Sequence, residues 1–435
     1  MRVFFLTLGC RVNQYETDAV RRLFLDRGHI IAERAEDSDC IIVNTCSVTG
    51  EADRKSRQLL RRMARVSPSA VIVSMGCSSE LAQGTVDADI VVSRQDKNRV
   101  PELVERFISE HGEHNRKTSH NRPALAKADT YHDYGCVVSP EGTRAFMKIE
   151  DGCSNFCSYC VIPFARGSVV SRSRESCLEE ANFLAESGFK EIIISGIHLC
   201  SYGRDRGEDI SSLLGLIGDI DRIPGIERIR LGSLEPMSMT DSFISGLSGV
   251  SHLCPHFHLS LQSGSDTVLE RMNRRYNTAQ YEERVSLLRR EFPGMSLTTD
   301  IITGFPQESE KEFAESYAFA GRMAFSKIHV FPYSEREGTR AASMPQLDMS
   351  VRRARAQKMI ALSERLSSDF ASAMVGRTVR VLVEKRPANN ADGRAEGYSE
   401  NYVRTYIGNK REAMPGDIIT GTIVGTEGAS CIIES

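Results

Sequence analysis

Read for its alternation of apolar and polar positions, the chain changes rhythm three times. Residues 1–104 alternate short β-branched runs (Arg2–Leu8, Asp39–Asn44, Ala70–Met75) with helix-period segments such as Thr17–Arg27 and Glu51–Arg65. Unbroken apolar runs of this length suit strands buried on both faces. Their alternation with helices predicts a doubly wound parallel α/β domain. Residues 105–138 have no clear period. This polar stretch, with His111, His114, His120 and His132, reads as a linker with surface segments rather than a histidine metal site.

Over residues 139–370 strand-like runs return at Ala145–Ile149, Glu191–Ser195, Arg228–Leu231, Phe257–Ser260, Ser296–Ile302 and Ile328–Phe331. Helical segments separate most of them, which predicts a partial (β/α)6 barrel. A charged amphipathic helix over Ser350–Met374 leads into residues 372–435. Short strands, glycine turns and Pro415-Gly416 there predict a small all-β barrel.

Composition narrows the class. With 40% hydrophobic and 26% charged residues the chain is globular, and no apolar run approaches the roughly 20 residues of a bilayer span. The opening apolar segment lacks a basic leader and a cleavage site, so it reads as a first strand and the protein as cytosolic, with no membrane partner. A net charge of −3 argues against a uniformly basic nucleic-acid binder, while leaving room for a local basic face. Twelve cysteines in a reducing compartment point to metal or catalysis rather than disulfides.

Asp151-Gly-Cys-Ser-Asn-Phe-Cys-Ser-Tyr-Cys160 sets Cys153, Cys157 and Cys160 in a C-x3-C-x2-C spacing directly after a strand. Three thiolates this close hold three irons of a [4Fe–4S] cluster and leave the fourth open, the mark of a reactive site. Zinc ribbons use four ligands in paired C-x2-C knuckles, which this loop lacks. Cys10, Cys46 and Cys77 lie far apart in sequence, yet each ends a predicted strand. In a parallel sheet those carboxyl ends share one edge, so a second cluster with an open iron fits them. Three unrelated core cysteines are the other reading of that trio, as they are of Cys40, Cys136, Cys177, Cys200, Cys254 and Cys431.

The C-x3-C-x2-C run, with an aromatic before its last cysteine, resembles the signature of the radical S-adenosylmethionine superfamily. Leu8-Gly-Cys-Arg-Val-Asn-Gln-Tyr-Glu-Thr-Asp18, Asn44-Thr-Cys-Ser-Val-Thr49, Arg166-Gly167, Leu259-Ser-Leu-Gln-Ser-Gly-Ser-Asp266, Thr299-Asp-Ile-Ile-Thr-Gly-Phe-Pro306 and Phe331-Pro-Tyr-Ser-Glu-Arg-Glu-Gly-Thr339 extend the likeness over essentially the whole chain. Together these resemble the methylthiotransferase family. That resemblance implies an auxiliary-cluster domain, a radical core and a C-terminal TRAM barrel. It also implies two [4Fe–4S] clusters, on Cys10, Cys46 and Cys77 and on Cys153, Cys157 and Cys160, with S-adenosylmethionine chelating the open iron of the latter. Tyr159 would lie near the adenine, with Ser195, Gly196, Gln262 and Ser263 as further cofactor contacts; core packing is the plain alternative for Tyr159.

The first-cysteine motif, Asp53-Arg-Lys-Ser-Arg57 and Gly196-Ile-His-Leu-Cys-Ser-Tyr-Gly203 look most like the branch acting on tRNA threonylcarbamoyladenosine 37, with Cys200 a departure where glycine is expected. The implied partners are that tRNA and a flavodoxin-like or ferredoxin-like electron donor. Methylthiolation of isopentenyladenosine or of a ribosomal-protein aspartate is the related alternative; a non-catalytic iron–sulfur RNA binder is the alternative from another class. Arg54, Lys55, Arg57, Arg61, Arg62 and Arg65 make one helix basic, suited to RNA phosphates or to plain solvation. Over Gly376–Ser435 basic and acidic residues balance at eight each, so docking of tRNA there rests on the resemblance; Tyr398, Tyr402 and Tyr406 suit either base stacking or packing.

Overall fold

The computed structural model describes residues 1–82, 86–111, 130–139, 142–386, 394–408 and 413–434. The first domain runs β1 (Arg2–Thr7), α1 (Arg11–Asp26), β2 (Ile30–Ile31), β3 (Cys40–Thr45), α2 (Gly50–Val66), β4 (Val71–Gly76), α3 (Cys77–Leu81), β5 (Ile90–Val91) and α4 (Val100–His111). Its five strands form one parallel sheet in the order β2-β1-β3-β4-β5. Alternate side chains of β3 and β4 face opposite ways, as the pleat requires. Cys40, Ile42, Val71 and Val73 meet Val20, Phe24, Val100 and Val104 of α1 and α4, while Ile41, Val43 and Ile72 meet Leu60 and Met63 of α2.

Two sequence expectations shift here. Helix α1 starts at Arg11, six residues before the periodic stretch, because its first turns bury the polar Asn13, Glu16, Thr17 and Asp18 alongside Val12 and Tyr15, which interrupts the apolar pattern. The stretch read as a linker opens inside α4, whose Leu103, Val104, Phe107 and Ile108 pack on the sheet. Residues 130–139 then lie against the next domain, with Val137 buried and the Tyr131 hydroxyl donating to the Lys148 carbonyl at 2.8 Å. His114 and His120, and the side chain of His111, lie outside the described residues; His132 is half-buried, and burial lowers its pKa.

The second domain contains β6 (Ala145–Lys148), β7 (Glu150–Asp151), α5 (Ile162–Arg166), β8 (Val170–Ser171), α6 (Arg174–Glu186), β9 (Glu191–Ser195), α7 (Ile210–Asp221), β10 (Arg228–Leu231), β11 (Ser233–Leu234), α8 (Asp241–Ser248), β12 (His256–Leu259), α9 (Asp266–Arg271), α10 (Thr278–Glu291), β13 (Ser296–Thr303), α11 (Glu310–Met323), β14 (Lys327–Pro332) and α12 (Met349–Ala373). Six parallel strand positions follow one another as β6-β9-β10/β11-β12-β13-β14, the third broken at Gly232 so that β10 pairs with β9 and β11 with β12. This is the partial six-stranded barrel that the spacing of apolar runs predicts. All six predicted strands lie within two residues of those observed. The small β7–β8 ribbon rises from the end of β6 and carries the chain into the cysteine loop.

The third domain is a closed five-stranded barrel, β15 (Thr378–Lys385), β16 (Ala395–Ser399), β17 (Arg404–Ile407), β18 (Ile418–Glu427) and β19 (Ser430–Glu434), in the order β15-β16-β17-β19-β18. It sits at the N-terminal ends of the larger barrel's strands, opposite the cysteine loop. Arg228 and Arg230 share the buried carboxylate of Glu191 and donate to the Tyr398 and Glu400 carbonyls at 3.1 and 2.9 Å. Tyr398 and Tyr402 stack on each other with centroids 4.9 Å apart, and the Arg144 guanidinium lies over both rings. These two rings therefore fill a domain junction. Tyr406 instead meets Arg394 and Arg404 on the small barrel itself. Among the described residues no helix is long and apolar enough to cross a membrane.

Candidate active site at two cysteine triads

The first triad is set by the turn that ends β7. Gly152 has φ +80°, and a Cβ there would fall 2.0 Å from the Ser168 carbonyl oxygen, so only glycine lets the two arms of the loop close. The Cys153 amide then donates to the Gly167 carbonyl at 3.0 Å, the Cys160 amide to the Cys157 carbonyl at 3.0 Å, and the Ser158 amide to the Met272 carbonyl at 3.0 Å. Burial pushes the Cys153 and Cys160 thiols up to about 11 and 12, and the mutual proximity of the three sulfurs adds to it. Thiols held so high bind metal only by releasing protons, which a cationic neighbour assists. Arg274 supplies one: its guanidinium donates to Cys157 Sγ at 3.3 Å and to Glu235 at 2.9 Å.

The second triad gathers as the parallel sheet dictates. Cys10 caps α1, Cys46 follows β3 and Cys77 opens α3 after β4; Cys10 is exposed and the other two buried. Gly9 has φ +106°, and a Cβ on it would press within 2.9 Å of Cys46 Sγ. Burial raises the Cys46 thiol to about 11, with Cys77 and Cys10 close enough to raise it further. Among the described residues no three His, Cys, Asp or Glu side chains crowd tightly enough to clasp a single metal ion. A four-iron cluster asks for something else, thiols set one per iron around a larger body.

Between the triads lies a buried ionic core that the sequence patterns do not reveal. Glu16 accepts from Lys97 at 2.6 Å, Lys148 at 2.9 Å and Arg166 at 2.9 Å, while Asp151 accepts from Lys148 at 2.6 Å and Arg166 at 3.0 Å. Burial alone raises both carboxyl groups, but Arg166 and Lys148 outweigh it and hold them below the usual carboxylate range. Three cations face two carboxylates, so one positive charge is left over. It is directed at the second triad, where Arg166 Nε donates to Cys77 Sγ at 3.3 Å. Arg166 also reaches Asn13, three residues beyond Cys10, at 2.8 Å. Arg166 and Gly167 thus touch both triads, one by its side chain and the other by its carbonyl. The motif pair was visible in the sequence; its partners were not.

The proposed cofactor contacts fall into two groups. Gly196 stands at the end of β9 where a Cβ would lie 2.1 Å from Glu150 Oε1. Glu150 Oε1 accepts from the His198 amide, but its Oε2 is buried with no partner, and burial pushes the carboxyl up to about 8. An orphaned carboxylate oxygen beside a glycine and next to the first triad fits an ammonium group such as the cofactor carries. Glu150 escaped the sequence reading, although it stands three residues before Cys153. His198 and Glu235 border a cavity of about 130 Å³ with Cys157 and Arg274. Gln262 takes φ +69° at the end of β12 and its main chain pairs with β13. By contrast, Ser195 is spent on the Met147 carbonyl at 3.3 Å, and Ser263 caps its own turn. The Tyr159 ring packs edge-on against Phe305, 6.4 Å away, in a small apolar cluster. Cys200, the departure from the expected motif, is buried and accepts from the Glu235 amide at 3.4 Å.

Comparison with known proteins places this geometry. Residues 2–93 match the family described as "Uncharacterized protein family UPF0004", and residues 147–320 match the radical SAM superfamily. The chain is 36% identical over 424 residues to threonylcarbamoyladenosine tRNA methylthiotransferase MtaB of Bacillus subtilis, covering 96% of this chain and 92% of that protein. It is 32% identical over 437 residues to tRNA-2-methylthio-N(6)-dimethylallyladenosine synthase of Moorella thermoacetica, over 96% and 94% of the two chains. Among solved structures, the radical S-adenosylmethionine methyltransferase TsrM of Kitasatospora setae matches with TM-score 0.57 at 16% identity, over 78% of this chain and 75% of that one, a likeness of fold. With identity of that level carried through both cysteine-bearing domains, the chain belongs to the methylthiotransferase family of radical S-adenosylmethionine enzymes.

Proposed function

We propose that this enzyme inserts a methylthio group at C2 of threonylcarbamoyladenosine 37 in tRNA. The observation that carries the reading is the placement of two thiol triads on either side of one buried ionic core, with Arg166-Gly167 bonded to both. A radical S-adenosylmethionine enzyme of this family uses a [4Fe–4S] cluster and S-adenosylmethionine. Cys153, Cys157 and Cys160 are the ligands we assign to that cluster, and Cys10, Cys46 and Cys77 those of a second. Once bound, the first cluster and cofactor supply a carbon-centred radical able to open an unactivated C–H bond, and the second presents sulfur for transfer.

The chain's own groups then have defined tasks. Arg274 donates to Cys157 and offsets thiolate charge, while Glu235 orients Arg274. Glu150 would accept from the cofactor's amino group, and Gly196 leaves room for the Glu150 carboxylate itself. Arg166 donates to Cys77 and, through Glu16 and Asn13, ties the two domains at a fixed separation. No side chain is assigned as a general base. The threonylcarbamoyl substrate follows the Bacillus subtilis relative's name and the motifs that resemble that branch. A cytosolic location and a small iron–sulfur or flavin protein as electron donor complete the reading.

The test is mass spectrometry of tRNA nucleosides and of ribosomal proteins from a strain lacking the gene. Loss of the methylthio group from threonylcarbamoyladenosine alone supports the assignment. Its loss from isopentenyladenosine or from a ribosomal-protein aspartate overturns it.

A further inference from the structure

Two large aromatic side chains stand in solvent at the mouth of the first triad. Phe156 is 55% exposed and Phe164 52% exposed, although each sits within four residues of a triad cysteine. They meet edge to face with centroids 6.1 Å apart and, with Cys157 and Cys160, line a cavity of about 880 Å³. Phe156 also holds φ +48°, a left-handed conformation unfavourable for a bulky side chain, fastened by an Asn273 amide that donates to its carbonyl at 3.0 Å. Exposure and strain on the same residue are what a ligand clamp requires, not what packing favours.

The cavity at the pair carries mixed charge, Glu335 and Glu337 beside Arg340, and the charge that marks the ligand lies one cavity further on. Phe164 borders a second cavity, of about 490 Å³, whose far wall is Arg57 and Arg61 of α2. All six basic residues of α2 are exposed. Glu51, Asp53 and Asp87 pair with Arg54, Lys55, Arg57 and Arg61, while Arg62 and Arg65 have no acidic partner among the described residues. A cationic track beside bare aromatic faces is the arrangement by which proteins hold single-stranded nucleic acid: phosphates on the track, bases on the rings. RNA is read in this way at loops, where bases are free to splay out.

We infer that Phe156 and Phe164 are a stacking platform for unpaired bases next to the target adenosine, and that α2 carries the adjoining phosphates. The inference rests on the tRNA reading above and deepens it. It assigns the entrance for RNA to the junction of the first two domains, not to the small barrel's Tyr398 and Tyr402, which already fill a domain junction.

The experiment uses the reconstituted full-length enzyme and an anticodon stem-loop RNA with 2-aminopurine beside the target position. Wild type should bind it and change the 2-aminopurine emission. Phe164→Ala should weaken binding about tenfold and abolish that change, since one base–aromatic stack contributes about 1–3 kcal/mol. Phe164→Tyr should restore both. Phe156→Leu keeps apolar bulk without a π face and should behave like Phe164→Ala, with iron content measured to show that the neighbouring Cys157 still holds its metal. Arg62→Glu with Arg65→Glu should weaken binding while leaving emission from bound RNA unchanged. Unaltered RNA affinity and emission in Phe164→Ala and Phe156→Leu overturns the inference. Slower reduction by an acidic electron-donor protein, with RNA binding intact, overturns it in favour of a protein dock. If wild type binds and stacks the RNA yet never methylthiolates threonylcarbamoyladenosine, the functional reading fails and the platform stands.

Discussion

Replacing Glu16 by Gln removes one carboxylate from the ionic core, leaving Lys148 and Arg166 to share Asp151 and Lys97 without its ion pair. The side chain is about 1% exposed and accepts from Lys97, Lys148 and Arg166, so water cannot take its place. Breaking a buried charge pair on one side costs about 3–5 kcal/mol, most of it the desolvation of the partner left behind. For domains of this size each kcal/mol moves Tm by a few degrees, so E16Q should melt roughly 10 °C below wild type. The sign of the pH dependence follows from Arg166, Lys148 and Lys97, which outweigh burial and hold Glu16 below its unfolded pKa. Its contribution is therefore complete above the unfolded carboxyl value and lost as pH falls through the folded one. The gap between E16Q and wild type should be constant around neutral pH and close in acid. Lys97, 2% exposed, bonds to Glu16 at 2.6 Å. The double variant E16Q/K97M returns the core to a single excess positive charge and should regain at least half of the lost stability, a coupling that a double-mutant cycle reads directly. Calorimetry on the metal-free protein is the assay. An E16Q midpoint within a degree of wild type, or a double variant no better than the single, refutes the reasoning.

Four further outcomes follow from the site. Cys153→Ala should abolish 5′-deoxyadenosine formation, while Cys46→Ala should spare it and stop methylthiolation; full activity in Cys46→Ala refutes the two-cluster layout. Gly9→Ala forces a Cβ within 2.9 Å of Cys46 Sγ at φ +106°, and should lower iron content by one cluster's worth with the first triad's cofactor cleavage retained. Glu150→Gln should raise the KM for S-adenosylmethionine about tenfold, the scale of one charge-assisted hydrogen bond. The folded pKa of Glu150, about 8, lies above its unfolded value, so ionising it costs stability progressively as pH rises toward 8. Metal-free E150Q should therefore be more stable than wild type at pH 8 and equal to it near pH 4, by calorimetry. Arg274→Gln should leave Cys157 without its donor and slow cluster reconstitution, followed by the visible absorption of the iron–sulfur chromophore.

The sequence by itself determined the order of the three folds and most of the strands, and it singled out the two sets of cysteines. Apolar periodicity encodes elements locally, and C-x3-C-x2-C puts three thiols on one short loop whatever surrounds it. Even the second triad was legible, because parallel strands must deliver Cys10, Cys46 and Cys77 to a common edge. What stayed hidden were polar residues whose partners are distant in sequence. Glu16 and Arg166 are 150 residues apart, and Arg166 and Cys77 are 89 apart. No period marks such pairs, and burying them breaks the apolar pattern, which is why the start of α1 was misread. The tertiary structure alone decided that Tyr398 and Tyr402 seal a domain junction, that Glu150 keeps an unpartnered oxygen, and that Phe156 and Phe164 stand in solvent. Each depends on which surfaces meet when the domains close. Surface complementarity is a property of the folded whole, whereas pattern and spacing belong to the chain.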